Sequence, residues 1–222
     1  MPKFAAGVVR FQQEVFPANE ALFEKLAKGQ SPEALFITCS DSRIETGMLT
    51  QSEPGDLFVV RNAGNIVPPH TTMTGSTTAA IEFACVALNV PHIVICGHTE
   101  CGAMKGAMNL DGLGSLPHVK EWLSYARAAV EITREIGKDL NDHDRNLLLL
   151  EQNVILQLAH LRTHPAVAVR IARGDLRLHG WVYDIADGEV YAYDDKNNVF
   201  EPVSKRYAAE VAKHLALKHK HD

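Results

Sequence analysis

STTAAIEFACVALNVPHIVICGH, from Ser76 to His98, is the stretch that decides the fold. Ser76 to Asn89 is helix-length and nearly apolar all round, which predicts a buried helix. It feeds Ile93-Val94-Ile95-Cys96, a short apolar run that stops at Gly97-His98. Upstream lie two more such runs, Ala34-Leu35-Phe36-Ile37-Thr38 stopping at Cys39, and Leu57-Phe58-Val59-Val60 ending at Arg61. Continuous apolar runs that alternate with helical segments predict a parallel sheet covered on both faces.

Downstream, Val119–Ile136 and Asn146–Thr163 carry long helical patterns. Leu176 to Ile185 then reads as a strand, and Asp187-Gly188 as a turn into Val190–Tyr193, an antiparallel hairpin at the sheet edge. At the other end, Val8–Lys28 reads as an amphipathic helical arm broken at Pro17, with Leu22, Phe23 and Leu26 on one side. Ser204–Lys218 reads as a last helix before a polar end, His219 to Asp222. The prediction is one α/β domain: a central, mostly parallel sheet with an antiparallel edge hairpin, flanked by helices, with an N-terminal helical arm. Its parts are the arm (1–28), the core (29–203) and a C-terminal helix and tail (204–222).

Length and composition agree with a single globular domain. The chain has 222 residues, 46% hydrophobic and 22% charged, which disfavours disorder or a fibrous chain. With 22 basic and 27 acidic residues, nucleic acid is not the expected partner. No apolar run approaches the roughly 18 residues of a membrane span. Met1-Pro2-Lys3-Phe4 lacks the apolar stretch of a secretory signal, so a cytoplasmic location is expected.

Cys39, Cys85, Cys96 and Cys101 are an even set that permits disulfides, yet a reducing cytosol argues for free or metal-bound thiols. Position separates them. In an open α/β sheet, ligands gather beyond the carboxyl ends of the strands. Cys39 and the His98-Thr99-Glu100-Cys101 segment both stand at such ends, so Cys39, His98 and Cys101 converge if their strands are neighbours. Two thiolates and an imidazole suit Zn²⁺ and leave a fourth position for water, the mark of a catalytic site. Cys85 and Cys96 fall inside elements and read as small hydrophobes. Asp41 and Arg43 read as a cap and a solvated charge in isolation. Beside a metal water they read as a carboxylate that accepts the hydroxyl proton and a guanidinium that holds it.

Cys-Ser-Asp-Ser-Arg at 39–43, Arg-Asn-Ala-Gly-Asn at 61–65 and Gly-His-Thr-Glu-Cys-Gly-Ala at 97–103 resemble the signature blocks of the β-class carbonic anhydrases. His179 to Asp184 resembles that family's strand near the sheet edge, and the likeness runs from about Gln30 to Asp194. The resemblance implies reversible hydration of carbon dioxide to bicarbonate and a proton, by attack of hydroxide held on one zinc per subunit. It implies Cys39, His98 and Cys101 as ligands, with Asp41–Arg43 as the catalytic dyad. It also implies a homodimer, often assembled further, whose N-terminal helices wrap the partner subunit.

The sequence is most similar to the plant-like branch, in which the fourth zinc position is kept for water. There a Gln, a Phe and a Tyr line the substrate pocket across the dimer interface. Gln30 and Phe58 match the first two, and Phe83, lacking the hydroxyl, stands at the third. The Gly102 N–H is a further contact to bound anion. The bicarbonate-regulated branch carries a Trp three residues before the first cysteine; Phe36 stands there, so no such switching is expected.

Arg61 and Asn62 read as braces of the site wall and dimer contact, and Trp181 as core. Among eleven histidines none is singled out as a proton carrier; His214, His219 and His221 read as solvated. Two rivals differ in class. A hydrolase of carbon disulfide or carbonyl sulfide on the same scaffold is separated by assaying those substrates. A non-catalytic zinc module or nucleotide-binding protein is opposed by the missing fourth Cys or His and by the absence of a glycine-rich phosphate loop. Two thiolates neutralise the metal's charge, so its water is less acidic than in a three-histidine site, where the pKa is about 7. Hydration activity is therefore expected to rise into the alkaline range. A stopped-flow profile that is flat from mildly acidic pH upward would contradict this.

Overall fold

The computed structural model describes residues 1–218, and the His219–Asp222 end lies outside the described residues. The chain opens with α1 (Pro2–Arg10), a π-helical turn (Phe11–Val15), α2 (Phe16–Ala18) and α3 (Glu20–Leu26). Pro17 does not break this arm as predicted. The preceding π turn accommodates its missing N–H, and the helix is interrupted instead at Asn19, whose φ of −124° leaves helical geometry. The core follows with β1 (Ala34–Cys39), α4 (Thr46–Thr50), β2 (Leu57–Asn62), α5 (Ser76–Val86) and β3 (His92–His98).

Next come α6 (Gly102–Met108), α7 (Pro117–Leu123), α8 (Arg127–Ile136), α9 (Asp142–Thr163) and α10 (Pro165–Arg173). The strands β4 (Arg177–Tyr183), β5 (Val190–Asp194) and β6 (Val199–Pro202) lead to α11 (Val203–Arg206) and α12 (Ala208–Lys218). The single helix predicted over Val119–Ile136 is two, joined by a 3₁₀ turn at Ser124–Ala126. Helix α9 begins four residues before its apolar pattern, because Asn141 caps it by accepting the Asp144 N–H.

The six strands lie in the order β2-β1-β3-β4-β5-β6; the first four are parallel and the last two antiparallel. β1 is buried along its whole length, which is why it reads as unbroken apolar sequence. The chain leaves β1 for β2, then crosses back past β1 to β3. That reversal opens a crevice between the carboxyl ends of β1 and β3.

The core is unequal on the two faces. Leu35, Ile37, Ile93 and Ile95 pack with α5 to α10 into one large cluster. On the opposite face a smaller apolar cluster, Phe36, Val94 and Cys96, packs against Leu49, Leu57, Trp181 and Tyr183. Trp181 meets Phe36 edge-on at 5.9 Å and is half-buried rather than core.

Helix α5 corrects a further expectation. Only Thr77, Ile81, Ala84 and Cys85 are buried, while Glu82, Phe83 and Val86 face outward. The arm is likewise open: α1 buries no residue, and Phe4 is 69% exposed. Apolar composition predicted burial, and within one chain that burial is not reached.

Candidate active site at the switch point

β1 delivers Cys39 and β3 delivers His98 to the two sides of the crevice, and Cys101 caps the start of α6. Glu100 takes a left-handed conformation (φ 57°), which turns the chain so that Cys101 faces back toward His98. The three ligand atoms lie within 4.8 Å of one another and all three residues are buried. Cys39 Sγ and Cys101 Sγ are 3.9 Å apart. Tetrahedral Zn–S bonds of about 2.3 Å place two sulfurs about 3.8 Å apart. His98 Nδ1–H donates to the Thr99 carbonyl at 2.8 Å, leaving Nε2 buried and without a partner. An orphaned imidazole lone pair beside two thiols is a donor set that fits zinc.

The thiols behave as one shared site. Cys39 is drawn down to about 4, first by the hydrogen bond from the Cys101 thiol and also by the Gly64 N–H, against the opposing effect of burial. Cys101 is pushed up by its hydrogen bond to Cys39 and by burial. Cys96 and Cys85 are pushed up to about 12 and about 11 by burial, as expected of packed thiols. All four cysteines are free.

Asp41 Oδ2 lies 3.9 Å from His98 Nε2. Arg43 grips that carboxylate twice, Nε to Oδ1 at 2.9 Å and Nη2 to Oδ2 at 2.7 Å, and holds its pKa far below the carboxylate range. The same Nη2 donates to the Glu100 carbonyl, tying the β1 loop to the His98–Cys101 loop. Arg61 fixes the backbone beneath, donating to the carbonyls of Cys39 (3.0 Å) and Asp41 (2.7 Å). Asn62 closes its own loop through both polar atoms, on the N–H and carbonyl of Ile66.

Not every residue singled out in the sequence comes here. Gly102, the first residue of α6, borders the centre, with open space where a side chain would stand. Gln30 precedes β1, at the far end of the sheet. Phe58 pairs with Leu35, four residues before Cys39, or about 13 Å away along the strand. Phe83 lies 5.9 Å from Phe58, on the open face of α5. These three do not reach the metal-ligand cluster of their own chain. The sequence reading missed Trp122, Asn153 and Gln157, which touch the loop behind Cys39.

A thiolate–imidazole centre at the switch point of a doubly wound sheet defines a zinc enzyme. The sequence profile of the carbonic anhydrase family matches residues 34–190. A carbonic anhydrase of Pseudomonas aeruginosa is 47% identical over 194 residues, covering 87% of this chain and 88% of that protein. The solved beta-carbonic anhydrase CcaA superposes with a TM-score of 0.89 at 44% identity, covering 91% of this chain and 98% of that one. One of two tetrameric beta-carbonic anhydrases of Sordaria macrospora gives 0.70 at 32% identity, over 86% and 92% of the two chains. This chain belongs to the carbonic anhydrase family, in its β class.

Proposed function

We infer that the protein catalyses the zinc-dependent interconversion of carbon dioxide and bicarbonate. The observation that carries this is the buried convergence of Cys39, His98 and Cys101, with His98 Nε2 unpartnered beside a clamped Asp41. When bound, zinc acts as a Lewis acid that makes a water nucleophilic near neutral pH. Asp41 Oδ2 accepts the hydrogen bond of that nucleophile and turns its lone pair toward carbon dioxide. Arg43 supports the plant-like reading: by holding both oxygens of Asp41, it would keep that carboxylate from joining Cys39, His98 and Cys101 as a fourth ligand. The Gly102 N–H, at the edge of the centre, contacts the bound anion.

The substrate pocket is completed by a second copy. Gln30, Phe58 and Phe83 are displaced from their own centre, which suits a homodimer in which each subunit walls its partner's site. The exposed α1 and α5 faces supply the apolar area, and tetrameric relatives make a dimer of dimers a consistent further step. In this reading residues 1–28 form the exchanged arm, 29–203 the catalytic core and 204–222 an appended helix and tail. Val86 is 69% exposed, so Val86→Asp costs the isolated fold little. In sedimentation the variant is expected to move from dimer to monomer, with activity falling at unchanged zinc content. A dimer that persists would place the interface elsewhere.

Among the described residues no helix is long and apolar enough to cross a membrane. The free thiols required as ligands suit a reducing, cytoplasmic compartment. The function is tested by metal content together with stopped-flow hydration of carbon dioxide, run beside carbon disulfide and carbonyl sulfide on one preparation. One zinc per chain with rapid hydration is expected; zinc-loaded protein inert toward carbon dioxide would refute the reading.

A further inference from the structure

Behind Cys39 the backbone supplies a donor that the sequence does not advertise: the Gly64 N–H points at Cys39 Sγ, at 3.4 Å. Gly64 has φ 79°, and a Cβ there would come within 2.6 Å of Met104 Cε and 3.3 Å of Ala103 Cβ. Its two neighbouring carbonyls are each held by a helix. The Trp122 indole N–H, from α7, donates to the Ala63 carbonyl at 2.8 Å. The Asn153 amide, from α9, donates to the Gly64 carbonyl at 3.1 Å. Asn153 is in turn fixed by Gln157, whose Nε2 donates to Asn153 Oδ1 at 2.8 Å. Gln157 Oε1 accepts the Val67 N–H at 2.9 Å, so the same pair also holds the far end of the loop. Asn153 and Gln157 are both essentially unexposed, so each polar atom placed there needs a partner.

We propose that Trp122 and Asn153 are positioning residues of the metal centre, which aim the Gly64 N–H at Cys39 Sγ and thereby set how strongly that sulfur donates to zinc. The Ala63 carbonyl and Gly64 N–H belong to one peptide unit, so the Trp122 bond polarises that unit and strengthens its donor. The Asn153 bond fixes the next unit and so the rotation of Gly64. An N–H bonded to a thiolate draws charge from the sulfur and holds it in place. The inference rests on the zinc reading above and concerns residues outside its ligand set.

The test uses Trp122→Phe, which keeps a ring and removes the N–H, and Asn153→Leu, which removes the amide. Each full-length protein is loaded with cobalt to read its thiolate-to-metal absorption, and with zinc to read affinity by chelator competition. In both variants the absorption is expected to move to longer wavelength, because an unbonded thiolate holds its electrons less tightly. Zinc affinity is expected to fall about 10-fold, the lower end of what outer-sphere partners contribute, because the lost positioning of Cys39 outweighs the stronger donation of an unbonded sulfur. The double variant should exceed the single ones only slightly, since both bonds grip one segment. A folded Trp122→Phe protein with wild-type absorption and affinity would overturn the proposal. That variant alone decides if Asn153→Leu does not fold. Failure of the zinc reading looks different: the wild-type protein itself would then bind no stoichiometric metal.

Discussion

His98→Ala is expected to abolish stoichiometric zinc and, with it, carbon dioxide hydration. His98 is fully buried, and its Nδ1–H is spent on the Thr99 carbonyl, so the ring is fixed in one tautomer with Nε2 aimed into the crevice. No other imidazole among the described residues joins the cluster of Cys39 and Cys101. Losing an outer-sphere partner costs about 10–100-fold in metal affinity, and losing a ligand costs more. Cys39→Ala is the companion variant, removing one thiolate from a buried site with little change of volume. Zinc stabilises the fold only while it binds, so added zinc should raise the melting temperature of the wild-type protein and not of either variant. Metal analysis after gel filtration is the decisive measurement. One zinc per chain retained by His98→Ala would remove this residue from the ligand set.

The parts of this site that were legible in the sequence share a physical reason. β1 and β3 are covered on both faces, so they read as unbroken apolar runs with sharp ends, and polar residues placed at those ends stand out. Asp41 and Arg43 are two residues apart, so their pairing is local and needs no knowledge of the fold. The gap behind Cys39 is of another kind. A backbone N–H has no letter of its own, and Asn153 and Gln157 look like polar interruptions of a helix until the loop some 90 residues away is placed beside them. Pro165 at the start of α10 was a usable signal for a new helix, whereas four-residue β6, ending in Pro202, was too short to register. Helix α5 shows the limit most directly. Its apolar letters do not say which positions its own chain buries: Ile81 and Cys85 are buried, while Phe83 and Val86 face outward.

Asp41→Ala separates binding from chemistry, because Asp41 stands next to the ligands without being one of them. It is expected to retain one zinc per chain and to lose about 10²–10⁴-fold in kcat, the range of a positioned acid–base group. Arg43→Ala should act through the same carboxylate by another route. Arg43 holds Asp41 far below its usual pKa, so in the wild-type protein Asp41 is expected to add no acidic limb to the rate profile. Whatever stability the pair adds is present above the ordinary carboxylate range and is lost as pH falls toward the depressed value. Without Arg43 the largest cause of that lowering is gone, so the Asp41 pKa should rise, and Oδ2, 3.9 Å from His98 Nε2, loses the contact that holds it in place. Arg43→Ala should therefore keep zinc and lose turnover even where Asp41 is fully ionised. The two variants must agree if the dyad is one unit: the double variant should be no slower than Asp41→Ala alone. Wild-type turnover in zinc-loaded Asp41→Ala would mean that the carboxylate serves only to cap its loop.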